Sequence, residues 1–503
     1  MQDVMTSGVL MTAMDIMSLI FISFIGIVVL VIAVVFVIDI TQTRHAIWRN
    51  YPVIGHFRYL FEHLGEFFRQ YFFAMDREEL PFNRALRTWV YRAAKNLSNT
   101  RAFGSTRDLR EPGSVIFVNC TFPKLEEDVA MPQPLVIGPG CNQPYETDSL
   151  VNISGMSYGA LSRPAVLALS RGAYGAGCWM NTGEGGLSPW HLEGGADLVF
   201  QIGTAKYGVR DPAGQLDDEK LREVASHPQV RMFEIKLSQG AKPGKGGILP
   251  GIKVTEEIAR IRGISPFQDS ISPNRHPDVN SVEDLMDMIQ HVRRITGKPV
   301  GFKLVLGGCG HLDILLQRIV KQGIEYAPDF ITVDGAEGGS GAAPMPLMDN
   351  VGLPLHESLP MLVDKLNEYG LRERIRVIAS GKLVAPGSVA WALCVGADFV
   401  TSARGFLFAL GCIQAMQCNR NTCPTGITTH NPRLQKGLNP ENKALRVKNY
   451  VHNLVHEVGL IAHSCGVGEP RELRRQHARI ISHEGLSIPM DKVYPEVKPP
   501  LAG

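Results

Sequence analysis

Eight short apolar runs between about residues 150 and 404 constrain the fold of this chain more than any other feature. Each run has Gly, Ser, Thr, Asn, Gln or Lys in its second half, and several are followed by a stretch with helical spacing, such as SVEDLMDMIQHVRRITG. Strand-like runs that alternate with helices are typical of parallel β/α units. The runs are LVNISGMS, GCWMNTGEG, LVFQIGTA, FEIKLSQG, PVGFKLVLGG, FITVDGAEGG, RVIASGKL and DFVTSARG.

This pattern predicts an α/β fold, a (β/α)8 TIM barrel, in which binding and catalytic groups lie at the carboxyl ends of the strands. A doubly wound sheet is the alternative fold, although no G-x-G-x-x-G follows a first strand. The 503 residues include 51 Lys and Arg against 49 Asp and Glu, which gives no broad electrostatic case for nucleic acid binding. Nine Cys in this length exclude a small disulfide scaffold.

The segment Ile16–Ile38 carries no charged residue over 23 positions. As a helix it would extend about 35 Å, which is enough to cross the hydrocarbon core of a membrane. A buried core helix and a cleaved signal peptide are the alternatives, but the run is too long for a signal core and Asp3 and Asp15 precede it. Basic residues follow it at Arg44, Arg49 and Arg58. The sequence therefore predicts a single-pass membrane anchor with the remaining chain in the cytoplasm.

We expect four segments along the chain. Residues 1–40 form the anchor, 41–149 a helical arm and lead-in, 150–475 the barrel domain with a cysteine loop, and 476–503 a Pro-rich tail. The arm has an aromatic helical rhythm that suits either the membrane interface or packing on the barrel domain, and both remain open. Its aromatic residues are Phe57, Tyr59, Phe61, Phe67, Phe68, Tyr71, Phe72 and Phe73.

The segment GCIQAMQCNRNTCPTG holds three cysteines, Cys412, Cys418 and Cys423, on one polar loop. Three soft thiolates at this spacing suit an iron–sulfur cluster. Zinc would need a fourth ligand, for which His430 is the nearest candidate, and three ordinary buried cysteines are the other alternative. The remaining six cysteines are interpreted as ordinary thiols, and they are Cys120, Cys141, Cys178, Cys309, Cys394 and Cys465.

Three glycine- or serine-containing loops follow late strands, at residues 334–341, 379–382 and 401–404. Successive small residues let backbone N–H groups approach an anion, and the last loops of a barrel often bind a phosphate. They indicate a phosphorylated cofactor or substrate, although such loops also occur as plain turns. Lys303, inside the run GFKLV, is costly in a barrel mouth unless it meets an anion or an electron-rich ring. The alternative is that its side chain extends outward to solvent.

Together these segments resemble the FMN-binding synthase domain of the glutamate synthase family. The matching stretches are ISGMSYGALS (153–162), NTGEGG (181–186), FQIGTAKYGV (200–209), EIKLSQGAKPGKGGILPG (234–251), SVEDL (281–285), DGAEGGSGAAP (334–344), ASGKL (379–383) and GCIQAMQCNRNTCPTGITT (411–429). The resemblance implies a (β/α)8 barrel, FMN, and a [3Fe-4S] cluster held by Cys412, Cys418 and Cys423. It also implies reductive amination of 2-oxoglutarate by ammonia to glutamate, with electrons from ferredoxin or a partner reductase.

The same resemblance assigns roles to individual residues. Lys242, Glu184 and Lys303 are implied to be catalytic, and Lys242, Arg262 and Glu283 to bind the substrate, with Lys236 supporting the region between flavin and cluster. Two carboxylates on the substrate call for Lys and Arg, and a cation near the flavin stabilises its reduced form. The residues implied to bind FMN are Ser154, Gly155, Met156, Ser157, Asn181, Gln201, Lys303, Gly338, Gly339, Ser340, Gly341, Gly381, Ser402 and Ala403.

One departure from the family concerns the substrate. Ile248 stands where the family has a Gln that touches 2-oxoglutarate, so an altered or less polar pocket is expected. A related FMN amine or amino-acid oxidoreductase with another substrate is therefore an alternative, and a non-catalytic electron-transfer subunit is a third. We expect a separate amidotransferase to supply ammonia, because the family's glutaminase domain has no counterpart in these 503 residues.

Overall fold

The computed structural model describes residues 2–128 and 131–497, and it contains a closed barrel of eight parallel strands. The strands are β1 (Val151–Ile153), β2 (Met180–Asn181), β3 (Leu198–Ile202), β4 (Val230–Lys236), β5 (Val300–Leu304), β6 (Phe330–Asp334), β7 (Arg376–Ser380) and β8 (Phe399–Ser402). Neighbours in sequence are neighbours in the barrel, and β8 pairs with β1 to close it. Each strand overlaps one of the eight apolar runs, although β4 begins at Val230, three residues before its run, so the predicted (β/α)8 barrel is confirmed.

Several helices of this chain begin at a residue whose side chain caps the first turn. The helix Arg163–Ala176 begins after Ser162, whose side chain accepts from Ala165 N, and ends at Gly177 in the left-handed region. In chain order the helices are α1 (Gln2–Thr41), α2 (Ala46–Asn50), α3 (Ile54–Phe68), α4 (Arg84–Ala94), α5 (Arg163–Ala176), α6 (Pro189–Glu193), α7 (Asp218–Ser226), α8 (Glu256–Arg262), α9 (Val282–Thr296), α10 (Gly310–Gln322), α11 (Met345–Asn350), α12 (Leu355–Glu368), α13 (Pro386–Val395), α14 (Arg404–Leu410), α15 (Pro432–Gln435), α16 (Pro440–Ser464) and α17 (Met490–Val493).

The amino-terminal end of the barrel is filled by a hydrophobic cluster, consistent with a packed core rather than a pore. Its buried members are Ile137, Tyr145, Trp179, Val199, Met232, Phe330, Ile378 and Phe399. Beside it the carboxylate of Asp329, fully buried, pairs with Arg293 and Arg374, each at 2.9 Å, and accepts from Val300 N at 2.8 Å. This end of the barrel therefore serves stability.

The carboxyl end of the barrel is covered by the long connection between β4 and β5. In it, the two-residue strands Ile248–Leu249 and Ser270–Ile271 pair antiparallel, with α8 between them. This arrangement brings residues 239–272 over the strand ends. The predicted substrate residues of this segment are placed in the site by the connection rather than by the strands.

The chain divides into two compact units, residues 1–85 and 86–503. The division falls inside the segment 41–149 that the sequence was expected to hold as one arm. In the expected tail 476–503, the strands Ala478–Ile481 and Ser487–Pro489 join Val115–Phe117 in a three-stranded antiparallel sheet. Residues 498–503 of that tail lie outside the described residues.

In the first unit, α1 is the one helix of the described residues that is long and apolar enough to cross a membrane, and no part of its apolar stretch is buried. Helix α3 continues into a π-helical turn, Arg69–Phe73. Asp39 near the end of α1 accepts from Val53 N at 2.8 Å and contacts His56 Nε2 at 2.9 Å. These contacts fix the start of α3 against the end of α1.

Candidate active site

A cavity of about 970 Å³ lies at the carboxyl end of the barrel. This volume includes open solvent at the mouth of the cavity. Of the residues predicted from the sequence, those that line it are Gly155, Met156, Ser157, Glu184, Gln201, Lys236, Lys242, Arg262, Gly339, Ser340, Gly341, Ala403 and Cys418. Residues from eight separate stretches of the chain thus meet in one cavity.

Glu184 is the one carboxylate among the described residues that line this cavity, and it is surrounded by cations. Its Oε1 accepts from Lys236 Nζ at 2.8 Å, and the same ammonium donates to Gln239 Oε1 at 2.6 Å. Burial would raise the pKa of Glu184, but Lys236 above all, with Lys242 and Arg262, holds it below its ordinary value. The group is therefore an ionised carboxylate at neutral pH, able to accept a hydrogen bond from an amine.

The Glu184 side chain is enclosed by glycines on two sides. A Cβ at Gly203 would lie 2.5 Å from Glu184 Cβ, and a Cβ at Gly247 would lie 2.5 Å from Glu184 Oε1. Both approaches are closer than real Cβ atoms tolerate, so only glycine at these positions leaves the carboxylate where it is.

Lys242 and Arg262 are two buried cations of the cavity wall. Lys242 Nζ donates to Ala342 O at 3.1 Å, and burial, together with the charge of Lys236, lowers its pKa to about 8. The guanidinium of Arg262 donates to the side chains of Ser270 and Ser157, each at 3.3 Å, while its Nε has no partner among the described residues. Both cations retain donor capacity for an anionic ligand.

Lys303 lies deeper, in a smaller cavity of about 250 Å³ inside the barrel that Ser154 and Asn181 also line. Its ammonium pairs with Asp334 Oδ2 at 3.2 Å. Burial opposes its charge, but Asp334 and Glu234 outweigh that effect and raise the pKa of Lys303 above its ordinary value. Lys303 is thus held as a cation inside the barrel. Its side chain does not extend outward to solvent, so that alternative is wrong.

The glycine-rich loops meet backbone to backbone at the rim of the cavity. Gly240 N donates to Asp334 Oδ2 at 2.9 Å, and a Cβ at Gly240 would lie 2.0 Å from Gly335 O. Arg404 Nη2 donates to Ser340 O at 2.7 Å and so ties the loop after β6 to the start of α14. Three residues predicted to bind phosphate, Gly338, Gly381 and Ser402, lie next to these loops but do not line the cavity.

The cysteine loop borders the cavity through Cys418 alone of its three thiols. Arg404 Nη1 approaches Cys418 Sγ at 3.8 Å. Burial raises the pKa of Cys412, and Cys418 and Cys423 add to this, so the three thiols lie within electrostatic range of one another. In the part of the chain that the structure describes, however, no three His, Cys, Asp or Glu side chains are grouped as a metal site.

Glu283 is the predicted substrate residue that the structure does not bring to the cavity. It lies in the first turn of α9, and its Oε1 pairs with Arg318 Nε at 2.9 Å with both side chains nearly half exposed. The physical reason is the direction of α9, which presents its apolar residues to the barrel and this turn to solvent. We therefore leave Glu283 out of the site.

Sequence reasoning missed Glu234, Gln239, Lys253 and Arg404. Glu234 and Lys236 are two charges spaced by two in the strand VRMFEIK, whose one other charge is Arg231, and this spacing is the signal for two residues on one face. Lys253 Nζ donates to Ala160 O at 2.7 Å and to Cys418 O at 3.2 Å. No local pattern marks Lys253, because the residues that it contacts are distant in sequence.

Comparison with known proteins gives a consistent family. A family model described as the conserved region in glutamate synthase matches residues 107–468. The glutamate synthase large subunit-like protein YerD of Bacillus subtilis is 40% identical over 494 residues, which cover 90% of this chain and 93% of that protein. An archaeal-type glutamate synthase [NADPH] of Thermotoga neapolitana is 35% identical over 326 residues, covering 64% of this chain and 61% of its own length. A solved mandelate oxidase variant with an FMN adduct aligns over 79% of this chain and 92% of its own at 17% identity, with a TM-score of 0.44.

Proposed function

We propose a function on the premise that this chain belongs to the glutamate synthase family: it is an FMN-dependent oxidoreductase that reductively aminates a 2-oxo acid, 2-oxoglutarate in the first instance, to the amino acid. The observation that carries the proposal is the cavity at the carboxyl end of the barrel. Among the described residues that line it, Glu184 is the one carboxylate, and the cationic side chains number five: Lys236, Lys242, Lys253, Arg262 and Arg404. Such an excess of positive charge suits a phosphorylated cofactor and a substrate with two carboxylates.

The residues present fit FMN. Gly339, Ser340, Gly341 and Ala403 border the cavity without bulky side chains, and a Cβ at Gly341 would meet no atom within 4 Å. These residues, with Arg404, would hold the phosphate, while Gly155, Met156 and Gln201 would face the ring. When bound, FMN supplies a centre that accepts single electrons and transfers a hydride. Lys303, held as a cation beneath the cavity, stabilises negative charge that develops nearby.

The substrate residues act through charge and hydrogen bonding. Arg262 and Lys242 bind the carboxylates of the oxo acid and hold its carbonyl carbon in one place, which lowers the entropy cost of reaction. Glu184 accepts a hydrogen bond from the incoming ammonia, and Lys236 keeps its carboxylate in place. Ammonia and the oxo acid condense to an imine with loss of water, and two electrons and two protons then reduce the imine to the amine.

A [3Fe-4S] cluster on Cys412, Cys418 and Cys423 is part of the proposal. The donor set supports it: three thiols lie on one loop, and the guanidinium of Arg404 and the ammonium of Lys253 lie beside Cys418. Soft thiolates with cations nearby suit an iron–sulfur group, which when bound supplies single-electron transfer. Electrons would come from ferredoxin or a reductase subunit, and ammonia from outside or from a separate amidotransferase.

Ile248 favours a second candidate, a related FMN oxidoreductase that acts on another amine or amino acid. Its side chain lines the cavity beside Leu249 and Pro250 and adds an apolar wall. A hydrocarbon side chain cannot make the hydrogen bond that a Gln would offer to a substrate carboxylate. The cationic residues favour a dicarboxylate and Ile248 a less polar substrate, so the two candidates differ in the substrate's side chain.

Membrane attachment is also proposed, through α1, with the barrel in the cytoplasm. The stretch Ile16–Ile38 of α1 is apolar, and its side chains are exposed except for the half-buried Val35. Helix α3 supports this, because one of its faces carries exposed apolar side chains while Arg58 and Glu62 form an ion pair on another. Aromatic side chains are typical of the membrane interface. The face consists of Ile54, Phe57, Phe61 and Phe68, and the exposed Phe72 follows in the π-helical turn.

The experiment is a turnover assay on the full chain loaded with FMN and cluster. We expect ¹⁵N-glutamate to form from 2-oxoglutarate and ¹⁵N-ammonia when reduced ferredoxin or a reduced viologen dye supplies the electrons. The control is Arg262→Leu, which is expected to bind FMN but to form no ¹⁵N-glutamate. Oxidation of the reduced flavin by other oxo acids but not by 2-oxoglutarate would establish the second candidate. A flavin that every donor reduces and no oxo acid reoxidises would identify a non-catalytic electron-transfer subunit.

A further inference from the structure

Glu234 is a carboxylate buried in the middle of the barrel, below the main cavity. Its Oε1 accepts from Asn181 Nδ2 at 2.8 Å and from Gln201 Nε2 at 2.7 Å, and its Oε2 accepts from Thr332 Oγ1 at 2.6 Å. A buried carboxylate is costly unless hydrogen bonds compensate it, and an apolar residue would pack here at lower cost. Its presence therefore calls for a role beyond packing.

The barrel register explains how one carboxylate reaches donors on three other strands. Gln201 on β3 is the register partner of Glu234 on β4, and Gly301 on β5 is its partner on the other side. A Cβ at Gly301 would lie 2.3 Å from Phe330 O, so glycine is required there by close approach. Thr332 on β6 has Lys303 of β5 as its register partner, and Lys303, Glu234 and Thr332 line the same small cavity.

The hydrogen bonds to Glu234 from Asn181 and Gln201 decide the orientation of these two side-chain amides. A side-chain amide can present its NH₂ group or its oxygen to a partner. Since Glu234 accepts from both NH₂ groups, both amide oxygens point away from it. Asn181 Oδ1 accepts from Gly183 N at 2.9 Å and so fixes the loop that carries Glu184. Gln201 lines the main cavity, and its Oε1 accepts from no residue that the structure describes.

The backbone above the amides limits their movement. A Cβ at Gly155 would lie 2.9 Å from both Asn181 Oδ1 and Gln201 Nε2, so the chain passes directly over the pair. Reversal of Gln201 would turn its oxygen toward the carboxylate of Glu234 and place two acceptors together. The cavity therefore always meets the oxygen of Gln201 rather than its NH₂ group.

We propose that Glu234 is a positioning residue: by accepting from Gln201 and Asn181 it turns the Gln201 oxygen into the cavity as a fixed acceptor for an N–H group of the bound cofactor, and it anchors the loop of Glu184. The inference rests on the proposed FMN site. Oxidised FMN carries one N–H in its ring system, the imide, which is the class of group that this acceptor selects. Glu234 itself touches neither cofactor nor substrate.

The test is the dissociation constant of FMN, measured on the full-length apoprotein by quenching of flavin fluorescence. Glu234→Leu removes the acceptor and is expected to weaken FMN binding about tenfold or more. Glu234→Gln keeps an oxygen for the two amides and offers its NH₂ group to the Thr332 hydroxyl, which can act as acceptor, so it is expected to bind FMN within about threefold of the wild type. Equal affinity in the wild type and Glu234→Leu would overturn the proposal.

A double-variant cycle separates positioning from general loss of structure. If Glu234 acts through Gln201, the pair Glu234→Leu and Gln201→Leu loses no more affinity than the worse single variant. If the double variant instead loses FMN affinity by the product of the two single losses, the two residues act independently and the proposal is overturned. Asp329→Asn is the matched control, because Asp329 is a buried carboxylate at the opposite end of the barrel. This variant is expected to lower the unfolding temperature and to leave the FMN dissociation constant unchanged.

A further pair keeps the proposal testable if Glu234→Leu does not fold. Gln201→Glu places a second carboxylate next to Glu234 and is expected to weaken FMN binding. Adding Glu234→Gln to the same chain again places a side-chain NH₂ group next to a carboxylate, and is expected to recover FMN binding. No recovery would overturn the proposal. If the wild-type apoprotein binds no FMN, the proposed flavin site is refuted, and the positioning role of Glu234 is refuted as well.

Discussion

Lys242 makes the oxo-acid affinity of this chain depend on pH in a defined direction. Burial first, and the charge of Lys236 second, lower its pKa to about 8, against the opposing effect of Glu184. An anionic ligand favours the protonated ammonium. Affinity is therefore expected to be highest below pH 8 and to fall as the pH rises above it.

The magnitude follows from the protonated fraction. With a pKa of about 8, that fraction drops from about nine tenths at pH 7 to about one tenth at pH 9, so the dissociation constant of 2-oxoglutarate is expected to rise about tenfold over this range. Lys242→Arg, which stays charged, is expected to show a nearly flat profile. Lys242→Ala is expected to cost about 2–5 kcal/mol of binding free energy at pH 7.

The assay is a calorimetric or flavin-absorbance titration with 2-oxoglutarate, without ammonia, at several pH values under anaerobic conditions. Glu184 does not titrate in this range, since its pKa is held below the ordinary value. Lys253 does, because burial lowers its pKa to about 8 as well. A 2-oxoglutarate affinity that does not change with pH in the wild type would refute the reasoning. An equal loss of affinity with rising pH in Lys242→Arg would also refute it, and would assign the pH dependence to Lys253.

Three further predictions concern the cluster, the core and the membrane. Cys418→Ser is expected to remove the broad brown absorbance of an iron–sulfur cluster and to leave an FMN-loaded barrel; an unchanged visible spectrum would contradict the ligand assignment. Asp329→Asn leaves Arg293 and Arg374 without their buried partner and is expected to lower the free energy of unfolding by about 3–5 kcal/mol in urea melts; an unaltered midpoint would show that the pairs contribute nothing. Deleting residues 1–40 is expected to leave the protein in the supernatant when membranes are sedimented, and pelleting would assign membrane binding to α3 instead.

The sequence alone predicted the barrel and the end at which its cavity lies. Eight apolar runs, each with a polar or glycine terminus, correspond one for one to the strands of the barrel. This was possible because strand and helix periodicities are local, and because parallel strands necessarily place their carboxyl ends on one side. The resemblance to the glutamate synthase family, rather than the strand pattern, assigned Glu184, Gln201 and Lys242 to this site, and all three line the cavity.

Only the tertiary structure decided which of those residues act together. Glu283 and Arg262 lie on neighbouring helices of one connection, yet Arg262 faces the cavity and Glu283 faces solvent. Glu234 joins three strands whose contact residues are up to 151 positions apart along the chain (332 − 181 = 151). The barrel's closure and register create these contacts, and they depend on the packing of the whole unit rather than on any local pattern of residues.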